Sequence, residues 1–327
     1  MDRRNFLIGT AVSATAAWAG PAGAQDAYPA RAVTFISPFP PGGVNDTVGR
    51  PLTAALETVF KKPMVFENKS GAAGAVGAQY VAAAKPDGYT LLIHIVSISG
   101  FAAVDKLFGR QPKFTNADFI PIARIIADPI VMIVNNDLPY KSLKELVDDA
   151  KKNPNKLIYS SSGLYGASHI PTVLFTKAAG NLQIRHLPTN GGGPAVTAVL
   201  GGNTNFFMSP TSIALPHIKS GKVRPLAVSS AKRAKPLPDV PTFRELGYDL
   251  EYYFWLGVFA PKGTPAAIAT TLRQGVNTAA HSPQFLGTMN NIGLELAYMD
   301  QPEFAKFWGD DAKKMEEAIN SIGRVQG

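Results

Sequence analysis

Short β-branched and aromatic runs alternate with longer segments of helical periodicity along this chain, and that alternation limits the possible folds more than any single motif does. Val33-Thr34-Phe35-Ile36-Ser37 reads as a first strand, followed by an amphipathic helix over 47–60. Strands over 64–67 and 90–94 bracket a small-residue helix over 72–84. The pattern predicts α/β layers around mainly parallel sheets. Near residue 120 it changes. Residues 120–127 and 130–134 both read as strands, separated by Asp128-Pro129, and suit a passage from one domain into another. Ser142-Leu143-Lys144-Glu145 is a capping box that opens a helix to about Lys152. Strand–helix pairs then repeat over 157–160 with 168–179, and over 183–187 with 194–200. A short strand over 205–208, a return crossing at 225–229, a strand over 253–260 and helices over 265–280 and 302–319 complete the reading. One α/β unit is thus expected inside another: domain 1 over 25–127 plus 229–327, domain 2 over 128–228. Two extended crossings make a hinge.

Glycine-rich turns recur where helices begin. Pro38-Phe39-Pro40-Pro41-Gly42-Gly43-Val44-Asn45-Asp46 joins the first strand to the first helix, with Asp46 stabilising the helix start. Ser160-Ser161-Ser162-Gly163, with Tyr165-Gly166-Ala167-Ser168-His169 behind it, is the equivalent turn of the inserted domain. Asn190-Gly191-Gly192-Gly193-Pro194 is a third, with Pro194 read as the first helical residue. Helix N-termini carry unpaired N–H groups and partial positive charge, so turns of this kind suit small anions. Each also has a plainer reading: a tight connection at 38–46, an N-cap at Ser168, a loop at 190–194. His169 is expected to stay neutral beside a positive helix end.

The chain opens on Asp2-Arg3-Arg4-Asn5-Phe6-Leu7-Ile8 and an Ala-rich apolar stretch ending Pro21-Ala22-Gly23-Ala24, the form of a Tat-type signal peptide over 1–24 cleaved near Ala24. Export to the periplasm follows. There is no cysteine, so disulfides and thiolate metal sites are excluded. The net charge is +8, and +7 without the +1 summed over Asp2, Arg3 and Arg4. Its basic residues are scattered, which argues against nucleic acid and for solubility or mild attraction of carboxylates. No later segment is apolar for long enough to span a bilayer. Gly71, Gly74 and Gly77 are spaced GxxGxxG, which does not make a dinucleotide site, and the five histidines show no metal-ligand spacing; no cofactor is expected. Ser229-Ser230-Ala231-Lys232 satisfies SxxK without companion motifs, leaving an exported Ser/Lys hydrolase as the enzyme alternative.

Five segments, in order, resemble the Bug proteins, the TctC-like extracytoplasmic solute receptors of tripartite tricarboxylate transporters. They are Pro38-Phe39-Pro40-Pro41-Gly42-Gly43, Glu67-Asn68-Lys69, Lys85-Pro86-Asp87-Gly88-Tyr89-Thr90, Ala214-Leu215-Pro216-His217-Ile218 and Leu237-Pro238-Asp239-Val240-Pro241-Thr242. The resemblance implies a two-lobed periplasmic-binding-protein fold, type II-like, closing on a small organic carboxylate in the interdomain cleft. It implies no catalysis, a monomer, and a membrane permease as partner, with a sensor protein as the alternative. Carried over, Gly42, Gly43 and Val44 grip the solute, with Phe39 lining the cleft. Ser162, Ser168 and His169 face them, with Gly191 and Gly192 from the next turn. Ser97 and Ser99 stand at the floor and Trp255 at the far end. The chain departs from many relatives at Thr189-Asn190-Gly191-Gly192, where they carry Tyr-Lys-Gly-Gly, and at Ser209-Pro210-Thr211, where they carry Asp-Asn-Leu. Thr189 and Ser209 therefore replace a tyrosine and an acid at the site. That argues against an amino-acid solute and for a neutral-bodied carboxylate.

Overall fold

A computed structural model describes residues 28–325; the expected signal peptide, 1–24, lies outside them. The first lobe begins with β1 (Val33–Ser37), α1 (Val44–Phe60), β2 (Met64–Asn68), α2 (Ala75–Ala82) and β3 (Thr90–Ile95). β1 pairs in parallel with both β2 and β3. Leu91, Leu92 and Ile93 of β3 are all fully buried, as a strand covered on both faces requires. The expected helix over 72–84 is broken. Residues 72–74 form a 3-10 turn and Gly74 takes a φ of 106°. Glycine is needed at this point, since a methyl on Gly74 would lie 2.7 Å from the Phe39 ring and 2.8 Å from His94.

After α3 (Phe101–Leu107), the two strands expected on either side of Asp128-Pro129 are one, β4 (Phe119–Asn135). Its first part pairs with β9 (Tyr253–Pro261) and β10 (Leu296–Asp300). From Ile130 onward it pairs with β7 (Phe206–Pro210) and, from Val131, with β8 (Val223–Val228). β4 thus belongs to both lobes and changes partners at Pro129–Ile130. Proline suits that point because a ladder donor is lost where one set of pairings ends.

The second lobe follows β4 with α4 (Leu143–Lys152), β5 (Ile158–Ser161), α5 (His169–Ala178), β6 (Arg185–Pro188), α6 (Gly192–Leu200), β7, α7 (Thr211–Lys219) and β8. Ser142 caps α4 as expected, accepting from the Glu145 N–H. β5 runs parallel to β6 and β7, whereas β4 is antiparallel to β7, β8 and β9. The sheets are therefore mixed, with the antiparallel strands where the chain crosses between lobes. Residues 225–229 are not the return crossing: most belong to β8, and residues 230–252 continue against the second lobe, where Phe243 and Tyr248 each lie 5.3 Å from Phe175. The return is β9. α8 (Ala266–Ala280), α9 (Pro283–Asn291), β10 and α10 (Glu303–Ile322) then close the first lobe. The C-terminal end of α10 reaches the second lobe, where the Tyr165 hydroxyl donates to Gly323 O at 2.8 Å.

Candidate functional site

The turn after β1 makes α1 start at Val44, three residues before the expected Thr47. Asp46 explains the early start: its carboxylate accepts from the Gly42 N–H at 2.7 Å and fixes the turn. That bond also uses up the Gly42 donor. The next three N–H groups, of Gly43, Val44 and Asn45, make no hydrogen bond among the described residues. A helix start always leaves such donors. α6 repeats the arrangement, beginning at Gly192 so that Pro194 is its third residue and not its first. Gly191, Gly192 and Gly193 donate to nothing among the described residues. Thr189 ties this turn down by donating from Oγ1 to the Ser161 and Gly191 carbonyls, both at 2.8 Å.

These two helix starts line one crevice. Gly43, Val44 and Asn45 stand on the first lobe, and Ser162, Ser168 and Gly192 on the second. Phe39, Pro40, Ile95, Phe207, Pro210, Ile213 and Phe254 complete the lining, which contains no charged side chain. The lobes are closed on each other, with a cavity volume of about 20 Å³, room for roughly one water. Glycines permit this approach. A methyl built on Gly191 would lie 3.3 Å from Pro40, and one on Gly193 3.3 Å from the Pro41 carbonyl.

The two serines are linked reciprocally. Ser168 Oγ accepts from the Ser162 N–H at 2.7 Å, Ser162 Oγ accepts from the Ser168 N–H at 3.4 Å, and the hydroxyls lie 3.0 Å apart. The hydroxyl–hydroxyl bond uses one of the two protons and leaves the other for a partner in the crevice. Asn45 is also set. Its Nδ2 donates to Ile93 O at 2.7 Å, while its buried Oδ1 has no partner among the described residues. That oxygen can take a bridging water or a donor on a solute. The crevice therefore offers backbone N–H groups, one hydroxyl proton and one carbonyl oxygen, with two helix dipoles directed at it.

Of the residues expected to hold a solute, the structure brings Phe39, Gly43, Val44, Ser162, Ser168 and Gly192 together in this lining. The others lie elsewhere. Gly42 is bonded to Asp46, Gly191 is the N-cap behind Gly192, and Thr189 braces the turn. Ser209 is fully buried in β7 with Oγ on the Pro210 carbonyl, and Ser97, also buried, has an unpartnered Oγ in a 3-10 turn after β3. His169 stacks on His186 at 4.5 Å and accepts the Tyr165 N–H on Nδ1. Burial first, then His186, lowers its pKa to about 3, so it is neutral, and its buried Nε2 has no partner among the described residues. Ser99 donates to Asp311 of α10 at 2.6 Å. Burial lifts the Asp311 pKa to about 6, against the Ser99 hydrogen bond. Trp255 packs with Phe304 and Phe307 at 5.8 Å each. Its neighbour Phe254 is the crevice aromatic, because successive strand residues face opposite ways.

The hydrolase alternative finds no free nucleophile. Ser229 is fully buried, accepts the Ile130 N–H at 2.9 Å and donates to the Tyr252 carbonyl. It stitches the crossing strand to the segment that leads into β9. Ser229→Ala is expected to lower the unfolding free energy by about 1–3 kcal/mol, because two buried backbone groups lose their partner. Urea denaturation measures this, and an unchanged midpoint would contradict the assigned role.

Residues 48–324 match the model of the tripartite tricarboxylate transporter family receptors, TctC. The chain is 36% identical to the protein BugT of Bordetella pertussis over 99% of its own length and 98% of that protein. Among solved structures it resembles R. palustris Rpa4515 with adipate, at 30% identity and a TM-score of 0.84, covering 90% of this chain and 98% of the other. MatC from Rhodopseudomonas palustris with bound malate is similar at 27% identity and a TM-score of 0.82, over 89% and 99% of the two chains. The two-lobed architecture, the serial helix starts at the crevice and these matches all agree, and the chain belongs to the TctC family of tripartite tricarboxylate transporter receptors.

Proposed function

We propose that this protein is a periplasmic receptor that captures a small organic carboxylate between its lobes and presents it to the permease of a tripartite tricarboxylate transporter. One observation carries the reading: free N–H groups from the starts of α1 and α6 meet the spare hydroxyl proton of the Ser162–Ser168 pair in an enclosed crevice with no charged lining. Uncharged donors of this kind neutralise an anion without committing a buried countercharge, and charge-assisted bonds to a carboxylate are strong. The carboxylates in the related structures, adipate and malate, support the same chemistry.

The Tat-type leader over 1–24 supplies the export route in this reading. The inserted lobe, expected over 128–228, is supported at its start by the change of partners in β4. At its end the packing of Phe243 and Tyr248 on Phe175 favours an extension to 252. Holding a solute then requires the lobes to part somewhat about β4 and β9, since a cavity of about 20 Å³ is smaller than any carboxylate.

Isothermal calorimetry of the mature protein against aliphatic, aromatic and hydroxy carboxylates, with sugars and amino acids as controls, tests this. At least one acid is expected to bind with a dissociation constant in or below the micromolar range. Binding of a control solute with no binding of any acid would overturn the reading.

A further inference from the structure

We infer that the crevice selects a monocarboxylate with an apolar body, and that Asp128 is the residue that rejects a second carboxylate. The inference rests on the receptor reading above and narrows its solute class. The donors already described stand at the starts of α1 and α6 and at the Ser162–Ser168 pair. The remaining walls are hydrocarbon, with Ile95, Phe207, Pro210, Ile213 and Phe254 all contributing.

A third helix start, that of α7, borders the same crevice through Pro210 and Ile213. It is not free. The Ser212 N–H and Oγ both donate to Asp128 Oδ2, at 3.0 and 2.6 Å. Thr211 Oγ1 is taken by the Pro129 carbonyl at 2.7 Å. Asp128 is the direct cross-strand partner of Phe254, and paired residues project on the same face of a sheet. The Asp128 carboxylate therefore lies on the side where Phe254 lines the crevice. It is buried, and it makes no salt bridge among the described residues. The chain has set its own carboxylate against this helix start. A solute's second carboxylate at this end would be desolvated against hydrocarbon with a like charge nearby.

Hexanoate and adipate differ only by that second carboxylate, as do benzoate and terephthalate. Calorimetry is run at pH 8, above the value of about 7 to which burial lifts Asp128. Hexanoate is expected to bind at least about tenfold more tightly than adipate, with the same order in the aromatic pair. Asp128→Asn retains the shape and an acceptor for Ser212 and removes the charge. It is expected to shrink the hexanoate preference by about three- to tenfold. Should that variant misfold, the wild-type ratio decides alone. Adipate bound as tightly as hexanoate overturns the inference and leaves the receptor reading standing. No binding by any of the four acids also overturns it, and the wider panel then judges the receptor reading separately.

Discussion

Replacing Gly192 with proline is expected to weaken carboxylate binding by about 10- to 150-fold with little change in thermal midpoint. The substitution replaces one backbone N–H by the ring Cδ and leaves the helix start otherwise as it is. Gly192 is the first residue of α6, where proline is favoured because no intrahelical bond is lost. The preceding Gly191 has a ψ of 176°, the extended value that a residue before proline requires. A Cβ at Gly192 meets nothing within 4 Å. What disappears is a hydrogen bond to a charged group, about 1.5–3 kcal/mol, which gives the stated range at about 1.4 kcal/mol per tenfold. Gly192→Ala keeps the N–H and is the control, expected to bind within a few fold of wild type. If the proline variant binds as well as wild type, the α6 amide is not a solute donor.

Gly193→Leu attacks closure instead of donation. Gly193 has no positive φ, so a side chain there carries no backbone strain. The constraint is across the crevice, where a methyl alone would lie 3.3 Å from the Pro41 carbonyl and 3.5 Å from Gly42 C. A leucine extends further. Overpacking of this kind costs about 1–3 kcal/mol, and here it falls on the closed form alone. Affinity is expected to drop about 5- to 150-fold, with small-angle scattering of the solute-saturated variant showing a larger radius of gyration than wild type. An unchanged affinity would mean that this glycine contact is not needed for binding.

The fold is legible in the sequence where one element makes one local pattern. The capping box before α4, the first strand and the turns before α1, α5 and α6 all read from consecutive residues. It is not legible where pairing decides. Asp128-Pro129 looked like a break between strands, yet β4 continues through it because each half finds its own partners. β10 is short and half-buried throughout, so it shows no clear alternation. α7 carries Pro216 within it and begins directly after a strand, and neither its start nor its cap is a local signal. Its cap comes from Asp128, 84 residues away.

The candidate site divides on the same line. Main-chain donors at helix starts follow from chemistry that any reader of the chain can see: glycine, then an apolar-periodic run. Gly43, Val44, Ser162, Ser168 and Gly192 were found that way or through the family resemblance, and all stand in the crevice. Which donors remain free could not be read. Asp46 consumes the Gly42 N–H, Asp311 the Ser99 hydroxyl and Asp128 the Ser212 donors of α7, each through a carboxylate that looks ordinary in the chain. The choice of Trp255 over Phe254 is a one-residue error with the same origin. Strand periodicity says that the two face apart, but only the packing of α10 says which face is covered.

By itself, then, the order of residues determined the α/β class, the family and the positions where main-chain N–H groups are left over, because each depends on neighbours within a few residues. The tertiary structure alone decided which of those groups face a common crevice and which are already bonded. A hydrogen-bond donor is used or free according to what lies within about 3 Å of it, and in a folded chain that neighbour comes from any distance along the sequence.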